Sequence, residues 1–357
     1  MNILAKISEI KEADILGKTI YTADGNILLN EGVKLTKKNI SKLKSLNIKN
    51  VYIKKENLNR KVFHVKEIVP EEVKKEIITC AKSYLNQAGS ETDKVDDSDR
   101  KQILDLIDNV INLITKDDKL FSSLKDVRKL EDELFFHSTN VTILSLLIGK
   151  RMDYSDKQLK ELGIGAFLHD IGKAKIPAKI LHKPGKLTDK EFEEIKKHTT
   201  YGYKILKEHE EVPDVSAEIA YQHHERCDGS GYPRGLSAAY IRDYAKIVSI
   251  VDVFDSMIND RVYREGIKIP EVIEHLYVSI SEKKVHRKIA SVFLEIITPY
   301  PIGSIVELSI GHKAVVTKVN ENNKLRPIVT VLDLIGLDKS LQIDLSKKTN
   351  IMITNVH

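Results

Sequence analysis

Histidine and aspartate residues are concentrated between Phe167 and Pro233, and this clustering constrains the chain more than any other feature. The stretch holds, in order, His169-Asp170, His198, His223-His224 and the run Asp228-Gly-Ser-Gly-Tyr-Pro233. Imidazole and carboxylate groups gathered in this way suit a site for several divalent metal ions. Such ions activate water near neutral pH and bind phosphate oxygens. Phosphodiester hydrolysis requires both functions.

The composition is that of a folded protein. The chain has 357 residues, of which 41% are hydrophobic and 31% charged, and this length leaves room for two or three domains. No apolar run approaches the roughly 18 residues that a membrane span needs, and the first residues lack a signal-peptide core. The two cysteines, Cys80 and Cys227, do not make a disulfide framework, so we expect a reducing, cytoplasmic setting.

The charge is unevenly distributed along the chain. Residues 1–60 carry 12 Lys and Arg against 6 Asp and Glu, whereas the remainder carries 45 against 46. A basic N-terminal region could contact nucleic acid or an acidic partner. Its lysines are scattered without interleaved aromatic residues, and the chain has no Trp, so a solvated surface is the favoured interpretation over nucleic-acid binding.

The first 60 residues are predicted to form a small α/β unit. Asp24-Gly25 supplies a tight turn for a hairpin, because this pair tolerates positive φ angles. Thr36 is placed to cap a helix, and Val51–Ile53 follows as a return strand.

The rest of the chain divides into three further regions. Residues 61–97 are predicted to contain a helix from Pro70 to about Asn86 and then a linker. Residues 98–300 show helical periodicity almost throughout, which predicts an all-helical core. Residues 301–357 are predicted to form a small β appendage with strands at Ile305–Leu308, Ala314–Thr317, Ile328–Val331 and Leu341–Ile343. The predicted fold class is therefore mainly α.

Three further residues extend the candidate metal site. Asp252 lies in an otherwise apolar helix, and a buried carboxylate needs a partner, which a metal ion, a salt bridge or a helix cap could provide. Glu133 and His137 are four residues apart and share one helix face, so they could ligate together or form a plain surface pair.

Several motifs occur in a fixed order over roughly residues 125–290. They are the runs Phe167–Pro177 and Ile180–Thr188, His198 with Gly202, the run His223–Leu236, and Asp252-Val-Phe-Asp255 with Arg261-Val-Tyr-Arg264. Together they resemble the HD-GYP subgroup of the HD phosphohydrolases, which are bacterial cyclic di-GMP phosphodiesterases. The resemblance implies an HD-type helical catalytic domain in this part of the chain.

The resemblance also implies residue roles. The implied metal ligands are His137, His169, Asp170, His198, His223, His224 and Asp252, with Asp170 bridging two ions. Glu133 matches an additional carboxylate found in members that hold three metals. The implied cofactors are therefore two or three divalent ions, with iron first and manganese as the second choice.

Other residues are implied to contact the substrate. Lys173 would reach the scissile phosphate, and with Asp170 it forms the predicted catalytic pair. Tyr232 would shape the pocket for guanine. Arg261 and Arg264 would contact phosphate or guanine, where a planar guanidinium favours bidentate recognition.

The expected reaction is metal-dependent hydrolysis of cyclic di-GMP to pGpG, with a second cut to GMP left open. One alternative is a receptor that binds cyclic di-GMP without cutting it, and another is a hydrolase of a different cyclic dinucleotide. The N-terminal unit is interpreted as regulatory or as a self-association element, and a homodimer is one arrangement that the sequence allows.

Overall fold

The computed structural model describes residues 2–8, 10–17, 19–21, 27–46, 48, 50–54, 97–116, 133–183, 185–209, 212–258, 266–320, 322–332 and 341–356. These residues form two compact units. One contains the N-terminal and C-terminal β-rich regions, and the other contains the helices between residues 97 and 297. The predicted helix Pro70–Asn86, the turn at Asp24-Gly25 and most of the predicted linker lie outside the described residues.

The N-terminal region has the predicted α/β character. Its elements are β1 (Asn2–Lys6), β2 (Ile15–Leu16), β3 (Ile20–Tyr21), β4 (Ile27–Leu29), α1 (Lys37–Ser45) and β5 (Asn50–Lys54). Strand β5 lies between β1 and β2 and is antiparallel to both, while β3 and β4 form the predicted hairpin pair. Thr36 caps α1 in a capping box with Asn39, so the predicted helix start is confirmed.

The C-terminal region is a five-stranded antiparallel sheet. Its strands are β6 (Ile305–Leu308), β7 (Lys313–Lys318), β8 (Ile328–Val331), β9 (Gln342–Asp344) and β10 (Ile353–Val356), in the order β10-β6-β7-β8-β9. The sequence predicted the first four strands but missed β10. Its pairing with β6 is irregular between Ile353 and Asn355, so the alternation of apolar and polar residues that marks a strand is interrupted.

The helical unit confirms the predicted fold class. Its helices are α2 (Asp97–Lys116), α3 (Glu133–Arg151), α4 (Asp156–Leu168), α5 (Ala178–Leu181), α6 (Asp189–Lys196), α7 (His198–Lys207), α8 (Asp214–Gln222), α9 (Asp243–Ile258), α10 (Ile269–Ser281) and α11 (Arg287–Ile296). Helix α3 packs against α4, α9 and α11, and α8 packs against α4 and α7. None of the helices in the described ranges combines the length and the apolar character needed to cross a bilayer.

Helices α3 and α9 run through the interior of this unit. In α3 every residue from 137 to 149 is buried, although several are polar. Thr142 satisfies its hydroxyl by donating to the Ser138 carbonyl at 2.7 Å. In α9 the buried face carries two carboxylates, Asp252 and Asp255, among aliphatic side chains. Two core helices therefore bring ionisable groups into a region where each needs a partner.

A short 3-10 helix (Ile171–Lys175) follows α4 and lies against α7. At Gly172 a Cβ atom would lie only 1.9 Å from the His198 carbonyl oxygen and 2.4 Å from the Gly202 backbone nitrogen. The two backbones can meet at this distance only because Gly172 has no side chain. This contact places the chain just after His169 beside the start of α7.

We expect Gly172→Ala to destabilise the helical unit by at least about 1–3 kcal/mol, because the clash is with backbone atoms that cannot rotate away. Urea unfolding followed by circular dichroism measures the change. Gly202→Ala is the milder variant of the same contact, since its Cβ would lie 3.3 Å from the Gly172 backbone nitrogen, a distance that a small shift can relieve. Equal stability of the two variants would show that the close approach does not constrain the fold.

Candidate metal centre

Three histidines lie one or two residues beyond the end of a helix, and each ring turns back onto that helix. They are His169 after α4, His198 after α6 and His223 after α8. Each Nδ1 lies within hydrogen-bonding distance of a carbonyl three residues earlier: 2.7 Å for Ala166, 2.7 Å for Ile195 and 3.0 Å for Ala220. A carbonyl oxygen only accepts, so Nδ1 carries the proton and Nε2 keeps its lone pair.

The three Nε2 atoms converge on Asp170. The Nε2 atoms of His169, His198 and His223 lie 3.3, 3.4 and 3.8 Å from a carboxylate oxygen of Asp170. All four residues are buried. Within the described part of the chain, His169 Nε2 and Asp170 Oδ1 have no hydrogen-bond partner. Buried acceptor atoms left in this state fit a cation between them.

A second set of groups surrounds His137 on α3. Its Nε2 lies 3.1 Å from Asp252 Oδ1, and its Nδ1 lies 2.8 Å from Asp255 Oδ2. Asn140 donates to the other oxygen of Asp255 at 2.7 Å. His224 Nδ1 lies 3.6 Å from Asp252 Oδ2. Asp255 thus orients the His137 ring, as carboxylates behind metal-binding histidines commonly do.

These groups form two overlapping sets of potential ligand atoms, each within 4.8 Å. One set is Asp170, His198, His223 and His224, and the other is His137, His169 and Asp170. The two sets share Asp170. With Asp252 added, we refer to these seven residues as the His/Asp cluster. Its nitrogen and oxygen donors suit divalent first-row metals.

The ionisation of the cluster matches this chemistry. Burial alone would raise the pKa of Asp170, but Lys173, His169 and His198 outweigh it and hold the pKa well below its usual range. Burial lowers the pKa of His198 and of His223, and it lowers the pKa of His224 to about 3. Near neutral pH the carboxylate is therefore charged, and these three imidazoles are neutral, which is the form that binds metals.

His137 behaves differently from the other histidines. Burial would lower its pKa, but the hydrogen bonds to Asp252 and Asp255 raise the pKa to about 10. Without a cation, the His137 ring is therefore a buried imidazolium between two carboxylates. A metal ion at Nε2 would have to take the place of that proton.

The loop after His224 covers one side of the cluster. The Glu225 carboxylate accepts from the backbone N–H groups of Arg234 and Leu236, at 2.8 Å each, which closes the loop. The Tyr232 ring stacks on the His224 ring with 4.7 Å between centroids. Burial, with Asp252 and Asp170 nearby, raises the pKa of Tyr232, so its hydroxyl stays protonated.

The structure brings together most of the residues that the sequence singled out. His137, His169, Asp170, His198, His223, His224 and Asp252 meet in one place, and Lys173 Nζ donates to Asp170 Oδ2. Glu133 begins α3, but its side chain lies outside the described part, as do Arg261 and Arg264 entirely. Their roles stay predictions. The sequence pattern predicts that His169 and Asp170 lie in one apolar helical run from Gly163 to Ile171, closed by Gly172. Instead, α4 stops at Leu168 and the 3-10 helix begins at Ile171.

Sequence reasoning gave no role to Asp255, although the motif Asp252-Val-Phe-Asp255 includes it, and did not identify Asn140. The signal for Asp255 was present, because it lies three residues after Asp252 on the same apolar helix and so on a similar face. Asn140 carries no comparable signal, since an amide three residues after His137 is unremarkable until its partner on α9 is known.

Comparison with known proteins agrees with this geometry. Residues 108–280 match the family model described as the HD domain. A cyclic di-GMP phosphodiesterase from Pseudomonas aeruginosa is 31% identical over 229 residues, which are 64% of this chain and 54% of that protein. A 3′3′-cGAMP-specific phosphodiesterase from Vibrio cholerae is 38% identical over 147 residues, which are 41% of this chain and 34% of that protein.

A solved structure of an HDG"Y"P protein from Bdellovibrio bacteriovorus superimposes with a TM-score of 0.54 at 16% identity, over 83% of this chain and 99% of that one. At this identity the likeness shows the fold alone.

The matched residues 108–280 make up just under half of the chain. The Gly231-Tyr232-Pro233 motif, which contributes to the resemblance to the HD-GYP subgroup, lies beside the His/Asp cluster. The chain spans 54% and 34% of the lengths of the two relatives described above.

We expect binding of Mn²⁺ near neutral pH to release about one proton, because His137 must give up its proton to ligate while His198, His223 and His224 are already neutral. Calorimetric titration in buffers of different ionisation enthalpy measures the released protons. His137→Gln should lower the release by one proton and weaken binding. Tight binding by the unaltered protein with no proton released would contradict a ligand role for His137.

Proposed function

We propose that residues 108–280 form an HD domain of the HD-GYP subgroup and that this domain is a metal-dependent phosphodiesterase that hydrolyses cyclic di-GMP. The observation that carries this proposal is the pair of ligand sets that share Asp170. A carboxylate common to two sets is suited to bridge two cations a short distance apart, and two-metal sites of this kind are widely used for phosphoryl transfer.

We propose two ions at the His/Asp cluster, with iron as the first choice and manganese as the second. A third ion would require Glu133 and stays a prediction. When bound, such ions lower the pKa of water and neutralise charge on the phosphodiester. Imidazole and carboxylate donors accept Fe, Mn, Zn and Ni alike, so the site chemistry alone does not choose among them.

The side chains around the cluster have separate tasks in this proposal. Lys173 is held at its edge by Asp170, and from there its ammonium can offset negative charge that develops on the phosphate. Tyr232 is fixed against His224 and presents a protonated hydroxyl and an aromatic ring toward a nucleotide base. Arg261 and Arg264 are predicted to contact phosphate or guanine. The first cut would yield linear pGpG, and a second cut, which the sequence leaves open, would yield GMP.

A different cyclic dinucleotide is the second candidate substrate. Relatives of similar identity to this chain are named for cyclic di-GMP and for 3′3′-cGAMP, so overall similarity does not select the bases. A receptor that binds without cutting is less favoured, because each of the seven positions in the His/Asp cluster holds a histidine or an aspartate that can bind a metal.

We expect the protein, reconstituted anaerobically with Fe(II) or Mn(II), to convert cyclic di-GMP to pGpG or GMP, with products separated by chromatography. Chelation should abolish turnover, and renewed addition of metal should restore it. Asp170→Asn should reduce kcat by roughly a thousandfold or more, because it removes the charge shared by both ligand sets.

The matched control is Asp214→Asn. Asp214 begins α8, is largely exposed and pairs with Lys207 on the surface, so its loss should leave turnover unchanged. Turnover of 3′3′-cGAMP but not of cyclic di-GMP would move the proposal to the second candidate. Bound metal and bound nucleotide without turnover would favour the receptor.

A further inference from the structure

Helix α6 presents an aromatic ring and a positive charge beside the metal centre. Phe192 is 45% exposed, and none of the eight described residues of α6 is buried. Lys196 follows four positions later and therefore lies on the same helix face. An aromatic side chain on a helix that buries nothing adds little to a core, so its position calls for another explanation.

Phe192 continues a row of rings that begins at the His/Asp cluster, and Lys196 lies beside that row. Tyr232 stacks on His224, and Phe192 meets the Tyr232 ring edge-on with 6.4 Å between centroids and 79° between planes. Lys196 Nζ lies 5.1 Å from the Phe192 centroid and 5.6 Å from that of Tyr232. These distances fall within the range of cation–π attraction, which holds the two rings and the ammonium together.

Helix α6 is fixed at both ends. At its start, Thr188 and Glu191 form a capping box, and Lys183 Nζ contacts the Glu191 carboxylate at 2.6 Å. At its end, the Ile195 carbonyl accepts from His198 Nδ1 at 2.7 Å. The helix that carries Phe192 is therefore tied directly to a residue of the His/Asp cluster.

We propose that Phe192 and Lys196, together with Tyr232, form a base-stacking shelf for one purine of the cyclic dinucleotide. This inference rests on the proposed function and deepens it by naming residues that bind the substrate away from the metals. Base stacking on an exposed ring is favourable for any purine. The charge of Lys196, which also pairs with Glu193 at 2.6 Å, lies where it can attract the phosphate that is not at the metals.

Steady-state kinetics distinguish base stacking on Phe192, which affects KM, from the reaction at the metals, which affects kcat. We expect Phe192→Ala to raise KM for cyclic di-GMP about 10-fold, which corresponds to about 1.4 kcal/mol, while kcat changes less than about twofold. Phe192→Tyr should restore KM, because it restores the ring. Tyr277→Ala removes an aromatic side chain that is 56% exposed on α10 and should leave KM unchanged.

Fluorescence tests the stacking itself. The chain contains no Trp, so Phe192→Trp introduces a single indole at the shelf. Cyclic di-GMP should quench its emission as the base stacks on it, whereas Tyr277→Trp should not respond. A ring that merely covers Tyr232 would give no quenching when the nucleotide binds.

The outcomes distinguish this inference from the proposed function. Turnover by the unaltered protein with the same KM in Phe192→Ala would overturn the shelf and leave the phosphodiesterase intact. Nucleotide binding seen by calorimetry without quenching in Phe192→Trp would also overturn it. If the unaltered protein neither binds nor cuts a cyclic dinucleotide, the proposed function fails, and the shelf fails with it.

Discussion

The metal centre depends on one repeated interaction, the hydrogen bond from a histidine Nδ1 to a carbonyl at the end of the preceding helix. This bond fixes both the tautomer and the ring direction of His169, His198 and His223, so that their Nε2 lone pairs meet at Asp170. The C-terminal end of a helix carries partial negative charge from its unpaired carbonyls. Placing these rings at helix ends therefore adds a potential that favours a cation where the lone pairs converge.

This arrangement makes the packing of the helical unit inseparable from its chemistry. Asp170 and Asp252 are buried, and a buried charge without a partner costs several kcal/mol. The imidazolium of His137 partly compensates for them in the absence of metal, and cations can take over that role. The close contact of Gly172 with α7 is also needed for the metal centre, because any larger residue at position 172 would separate His169 from His198.

The sequence predicted which residues meet in the His/Asp cluster better than it predicted how they are held. The histidines and aspartates can be read directly from the sequence, and their order along the chain matches the family motifs. The seven residues of the cluster could therefore be named in advance. The supporting contacts join distant parts of the chain. Asn140 reaches Asp255 across 115 positions, and a single sequence does not reveal such a pair. Strand β10 was missed for a local reason, because its irregular pairing breaks the alternation that marks a strand.

A cluster of histidines and aspartates can recognise a phosphodiester, but it contains nothing that reads a base. In the proposed function, discrimination among cyclic dinucleotides would therefore come from side chains around the cluster. Relatives of similar identity to this chain are named for different substrates. A row of rings runs from His224 through Tyr232 to Phe192 and so leads away from the His/Asp cluster. Among the described aromatic contacts, no other row leaves the cluster. Because α6 is bonded to His198 at one end, a base resting on Phe192 would be positioned relative to the metals by a rigid element rather than by a loop. Recognition of the base and orientation of the phosphate would then depend on the same short helix.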